Sequence, residues 1–140
     1  MILIEDIKIG DTREFEFMYD ASYHYKFMKL SGDDSKVHSD IVFCQRNGYS
    51  SLLGYSYALP TMLSNIFGKH FPGGSELCLA NNFNFRTPYF IDDKIIFKLE
   101  VENFDKNIHT LSLKTLAYRN STKSENLILS GNALLLLKLK

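Results

Sequence analysis

Leu52-Leu53-Gly54-Tyr55-Ser56-Tyr57-Ala58-Leu59-Pro60-Thr61-Met62-Leu63-Ser64-Asn65-Ile66-Phe67-Gly68-Lys69-His70-Phe71 is the most apolar helical stretch of the chain. Wound as a helix, Tyr55, Tyr57, Ala58, Leu59, Met62, Leu63, Ile66 and Phe67 leave almost no wet face. Such a helix must be enclosed by other elements rather than laid on a surface. The polar side chains in its middle are Ser56, Thr61, Ser64 and Asn65, and Pro72-Gly73-Gly74 stops it.

Everything after Gly74 reads as strand. Leu77 and Leu79, then Phe83 and Phe85, alternate with their neighbours, and Ile95, Phe97, Leu99 and Val101 alternate against Lys94, Lys98, Glu100 and Glu102. Leu111 and Leu113 continue the pattern, and Leu127, Leu129, Ala133, Leu135, Leu137 and Leu139 make a long last strand. Asp92-Asp93, Asp105-Lys106-Asn107 and Asn120-Ser121-Thr122 supply the turns. Successive strands with one apolar face and short connections form an antiparallel sheet, for which a single buried helix is the natural cover. The expected class is α+β, one domain over residues 1–140.

Upstream, Gly10-Asp11 reads as a turn before a short strand with Phe15 and Phe17 on one face. Asp20 or Ser22 can cap a helix whose apolar residues are Tyr23, Phe27 and Leu30, and Ser39 or Asp40 a second one with Phe43 and Cys44 inward. Asn47-Gly48 ends the second. His24 and His70 are expected on helix surfaces and His109 on a strand surface.

Lys plus Arg balances Asp plus Glu at 16 each. No segment collects one sign, which removes the electrostatic footprint for nucleic acid or an anionic membrane and favours small, weakly charged partners. Cys44 and Cys78 lie far apart without metal-ligand spacing, as buried thiols of a reducing compartment do. Met1 to Asp6 turns acidic before a signal core can form, and Ala133 to Leu137 is too short to span a bilayer. A cytoplasmic protein is expected.

One polar turn has the composition of an active site. Phe27-Met28-Lys29-Leu30-Ser31-Gly32-Asp33-Asp34-Ser35-Lys36-Val37-His38-Ser39-Asp40 places carboxylates, a histidine and a glycine together after an apolar helical segment. Asp33, Asp34, His38 and Asp40 lack the regular oxygen spacing of hard-cation loops and the further His or Cys of zinc sites, so no metal is expected. Asp34 is expected to face solvent and Asp40 to cap a helix.

The turn resembles the signature of the MaoC-like dehydratases, or (R)-specific enoyl-CoA hydratases, a branch of the hot-dog fold. That signature runs aromatic, Leu-Ser-Gly-Asp, one residue, Asn-Pro, an aliphatic and His, then one residue and Asp. Phe27, Leu30, Ser31, Gly32, Asp33, Val37, His38 and Asp40 match in register, with Ser35 in place of Asn and Lys36 in place of Pro. Gly48 through Gly73 is similar to the segment that introduces and builds the family's central helix, with Ser64, Gly68 and Pro72-Gly73 on family positions. Phe85 to Asp93 resembles the next landmark, with Asp92 in place of Gly.

The resemblance implies a hot-dog domain, an antiparallel sheet wrapped around a long central helix, acting on a thioester of coenzyme A or acyl carrier protein without a cofactor. It implies that Asp33 and His38 position a water, that Ser64 holds the aspartate or the water, and that the Ser56 amide at the helix start stabilises the enolate oxygen. Tyr55 stands where the family has His or Tyr, beside the substrate. Pro60 lies where a small residue is usual: a helix beginning at Ser56 loses a bond to it, whereas one beginning at Leu59 takes it as first residue. Bulky Tyr57, Met62, Phe67 and Phe83 point to a short acyl chain, and a homodimer is implied. The alternatives are a hot-dog thioesterase, which draws its carboxylate from the central helix, and a non-catalytic acyl-binding subunit. Leu53 to Phe71 contains neither Asp nor Glu.

Overall fold

The computed structural model describes residues 4–74 and 76–137. Five strands, β1 (Thr12–Tyr19), β2 (Glu76–Phe85), β3 (Asp93–Asp105), β4 (Thr110–Arg119) and β5 (Leu127–Leu137), form one antiparallel sheet in the order β1-β3-β4-β5-β2. Between β1 and β2 lie α1 (Ala21–Ser31), α2 (Lys36–Ser39), α3 (Ile41–Arg46) and α4 (Ala58–Asn65). The α+β expectation holds, and alternation is its cause. Ile95, Phe97, Leu99 and Val101 of β3, Leu111 and Leu113 of β4, and Leu129, Ala133, Leu135 and Leu137 of β5 are all buried in one core with the apolar residues of α4. Each large apolar side chain among them contributes about 1.5–3 kcal/mol on leaving water, which outweighs the modest strand propensities of the polar residues between them. Leu139, expected in the last strand, lies outside the described residues, as do Met1 to Leu3.

The central helix is shorter than its apolar run. It begins at Ala58, after a turn in which the Ala58 N–H donates to the Tyr55 carbonyl at 3.1 Å and the Leu59 N–H to that of Ser56 at 3.2 Å. Pro60 is therefore its third residue, where the missing N–H is one of the four that a first turn leaves without a helical partner, so no ladder bond is lost. After Asn65 the helix widens into a π turn, Ile66–His70. Ala58, Leu59, Met62, Leu63, Ile66 and Phe67 are buried, while Ser56, Thr61, Ser64 and Asn65 face solvent. The helix thus has a wet face, contrary to the expectation from composition.

Three further expectations change. Leu30 of α1 is 81% exposed, and the inward face carries Tyr23, His24, Phe27 and Met28 instead. His109 lies in the turn before β4 with φ 56 rather than on a strand. Strand β2 is a sheet edge with an irregularity between Cys78 and Ala80, so Leu77, Leu79, Phe85 and the Cys78 thiol are exposed.

At one end of the sheet a polar lock holds the chain that leads into β3. Buried Asp93 pairs with Arg119 (Oδ2 to Nε 2.9 Å) and accepts from Asn120 at 2.8 Å and from the Phe90 N–H at 2.8 Å. Asp92 beside it has φ 71, a backbone angle that favours glycine. The Asp92 N–H donates to the carbonyl of Tyr19, the last residue of β1. This corner, where β1 ends and β3 begins, carries the polar turn.

Candidate active site

Local chemistry dictates the path from α1 into α2. Asp20 caps α1 by accepting from the Tyr23 N–H at 2.8 Å. The helix ends at Gly32, whose φ of 73 lets its N–H return to the Met28 carbonyl. Most side chains resist that left-handed angle by about 1 kcal/mol or more, so glycine is what turns the chain sharply ahead of Asp33. Asp33 Oδ1 then accepts from the Ser35 N–H at 3.1 Å, closing an Asx turn that launches α2. Asp40 caps α3 through the Phe43 N–H at 2.9 Å, as expected, and Asp34 is exposed.

His38 rides on α2. Its Nδ1 lies 2.7 Å from the Leu53 carbonyl oxygen. A carbonyl only accepts, so Nδ1 carries the proton, and in the neutral ring the lone pair sits on Nε2. Nε2 faces Asp33 Oδ2 at 3.8 Å; the His38 side chain is 13% exposed and that of Asp33 48%. The structure brings Asp33 and His38, the pair read from the signature, to within 3.8 Å of each other, with Ser35 and Lys36 in the turn between them. The Ser35 hydroxyl and then its N–H, hydrogen-bonding to the carboxylate, hold the Asp33 acid below the usual carboxylate range. Asp33 is therefore ionised at neutral pH. Ser35→Ala should move the Asp33 titration, followed by carboxyl carbon NMR, toward higher pH, leaving the His38 tautomer as it is; an unmoved titration would remove the serine from this role.

Tyr55 is buried and stacks on His38 with ring centroids 3.8 Å apart and planes 21° apart. Its hydroxyl donates to the Asp33 main-chain carbonyl. Burial, followed by the Asp33 and Asp34 charges, pushes that hydroxyl up to about 12, so it remains a donor at any working pH. Tyr55 is itself held at both backbone groups: its N–H donates to the Tyr19 hydroxyl at 3.3 Å, and its carbonyl accepts from the Tyr89 hydroxyl. The structure makes Tyr55 a wall and a brace for the dyad.

His24, expected on a helix surface, is fully buried. Its ring bonds Tyr19 and the His38 carbonyl. Tyr19, Tyr89 and the Leu53 carbonyl were not legible as site components. A signal existed for His24, which falls beside Tyr23 on the stripe that also includes Phe27 and Met28.

Ser64 is not brought to the dyad. It lines a groove of about 210 Å³ between α4 and β2 with Pro60, Leu63, Phe67, Cys78 and Phe83, and among the described residues no hydrogen bond joins it to Asp33 or His38. Of the bulky residues expected along an acyl path, Phe67 and Phe83 line this groove, Met62 is in the core and Tyr57 is 74% exposed. Ser56 precedes the helix rather than opening it, and among the described residues nothing accepts from its N–H. The described residues contain no group of three or more His, Cys, Asp or Glu able to hold a metal ion, and no helix long and apolar enough to cross a membrane.

No family model matches the sequence. The chain is 23% identical over 112 residues to the (R)-specific enoyl-CoA hydratase of Aeromonas caviae, covering 79% of this chain and 84% of that relative. It is 24% identical over 101 residues to a 3-hydroxybutyryl-CoA dehydratase of Methylorubrum extorquens, covering 72% of this chain but 64% of that one. Among solved structures, the (R)-hydratase of A. caviae involved in PHA biosynthesis superimposes with a TM-score of 0.86 at 20% identity, covering 96% of this chain and 99% of that one. The resemblance read from the signature holds, and the fold is the hot-dog fold.

Proposed function

We propose that this protein interconverts a trans-2-enoyl thioester of coenzyme A or acyl carrier protein and the corresponding (R)-3-hydroxyacyl thioester. The observation that carries this reading is the orientation of His38. With Nδ1–H tied to Leu53, the Nε2 lone pair faces an ionised Asp33 oxygen 3.8 Å away. A water oxygen about 2.8 Å from both donates one O–H to each. In hydration its oxygen bonds to the β carbon, one of its protons passes to the dyad, and the electron pair of the double bond moves to the thioester oxygen. The Ser56 N–H, which has no acceptor among the described residues, is the proposed donor to the enolate charge there. The dyad then returns a proton to the α carbon, so one water is added and both side chains regain their starting states. Dehydration is the reverse.

The names of the similar proteins support the same chemistry. A thioesterase reading lacks its carboxylate, since α4 and the π turn after it contain no Asp or Glu. Assembly as a homodimer is supported by the exposed apolar edge of β2, where Leu77, Leu79 and Phe85 are exposed and Tyr57 packs beside Phe85. The expected result is that purified protein consumes crotonyl-CoA or a related short enoyl thioester, followed by loss of the conjugated thioester absorbance, and yields the (R) alcohol. No turnover across a panel of enoyl-CoA and enoyl-carrier substrates would favour the acyl-binding subunit instead.

A further inference from the structure

His24, beside the dyad, is a polar side chain with 0% exposure. Its Nε2 lies 2.8 Å from the His38 carbonyl oxygen and its Nδ1 2.8 Å from the Tyr19 hydroxyl. The proton positions follow from which groups can donate. The His38 carbonyl only accepts, so Nε2 carries the hydrogen, and Nδ1 of the neutral ring takes the Tyr19 O–H. The Tyr19 oxygen keeps lone pairs for the Tyr55 N–H at 3.3 Å. One sense of donation, Tyr55 to Tyr19 to His24 to His38, satisfies every group. A charged His24 would donate from both nitrogens and take from the Tyr19 O–H its acceptor at Nδ1, and burial lowers the tendency of this ring to charge.

Both ends of this relay are supports of the dyad. One end is the backbone of α2 at His38 itself. The other is the backbone of Tyr55, whose ring stacks on His38 and whose hydroxyl holds the Asp33 carbonyl. An aliphatic residue at position 24 would fill the same space but leave the His38 carbonyl without its donor. We infer that Tyr19 and His24 are positioning residues, a neutral buried relay that locks His38 and Tyr55 in one register and sets the direction in which His38 Nε2 meets water. The inference rests on the reading of Asp33 and His38 as the reacting pair.

Histidine nitrogen NMR on the full chain tests the relay without an activity assay. The expected spectrum shows His24 as the Nε2–H tautomer, charging only at lower pH than an ordinary imidazole because it is buried, and His38 as the Nδ1–H tautomer. His24 titrating as an ordinary imidazole would overturn the inference. Tyr19→Phe and His24→Leu should each shift the His38 ring signals and lower kcat by about ten- to a hundredfold, with KM little changed. His24→Gln, which keeps an N–H near the position of Nε2, should recover much of both. If His24→Leu fails to fold, Tyr19→Phe alone decides: unaltered His38 signals and kcat in that folded variant would refute the relay. A wild-type protein without enoyl thioester turnover defeats the hydratase reading, and the NMR comparison still decides on the relay.

Discussion

Asp33→Asn and His38→Ala should each lower kcat for hydration of crotonyl-CoA by about 10²–10⁴-fold, the range for removal of a positioned acid or base. The two variants report different losses. The amide of Asp33→Asn keeps the size of the side chain and an oxygen for the Ser35 N–H, but it lacks the negative charge and proton-accepting capacity of the carboxylate. Because the Asp33 side chain is about half exposed, the melting temperature should change little. His38→Ala removes the ring that donates to Leu53 and carries the Tyr55 stack. Circular dichroism and a melting curve must accompany that assay. In the proposed reaction both groups act on one water, so their effects should not multiply: the double variant is expected close to the worse single one. Near wild-type turnover in a folded Asp33→Asn protein would remove the dyad from the reaction.

Gly131→Ala is the substitution expected to harm the fold most. Gly131 lies in β5 between Phe83 of β2 and Thr115 of β4. A Cβ built there meets the Asn82 carbonyl oxygen at 1.8 Å, the Asn82 carbonyl carbon at 2.8 Å and the Phe83 Cα at 2.9 Å. All three are backbone atoms of a paired strand, so no rotamer change relieves the clash. β2 must peel away from β5 at that point, costing about 3 kcal/mol or more. For a chain of this size the melting temperature should fall by about 6–12 °C. The same displacement would carry Phe83 away from the groove beside Ser64. A melting point within a degree or so of wild type would show that the two backbones do not approach so closely.

The part of the site written in neighbouring residues was legible. Gly32, Asp33, Ser35 and His38 lie within one turn, and their geometry follows from a left-handed glycine, an Asx bond and a four-residue helix. Such contacts reach only a few residues, so sequence spacing constrains them. His24 shows the opposite case. Polarity predicts a surface place for it, and burial becomes tolerable only because Tyr19 and His38 arrive from the end of β1 and from α2 to satisfy both nitrogens. Ser64 marks the same boundary from the other side. Its spacing resembles that of the family's serine, yet in the structure it lines the groove between α4 and β2 and makes no hydrogen bond to Asp33 or His38 among the described residues.

The chain by itself determined the α+β class, the strands with the inward faces of β3, β4 and β5, and the turn that carries Asp33 and His38, because periodicity and local hydrogen bonding act over a few residues. Only the tertiary structure decided that α4 starts at Ala58, that β2 is an exposed edge, and that Tyr19, His24, Leu53, Tyr55 and Tyr89 close around the dyad. Those contacts join residues distant along the chain. Their geometry depends on where the sheet ends and which donors meet there, and no local pattern encodes that.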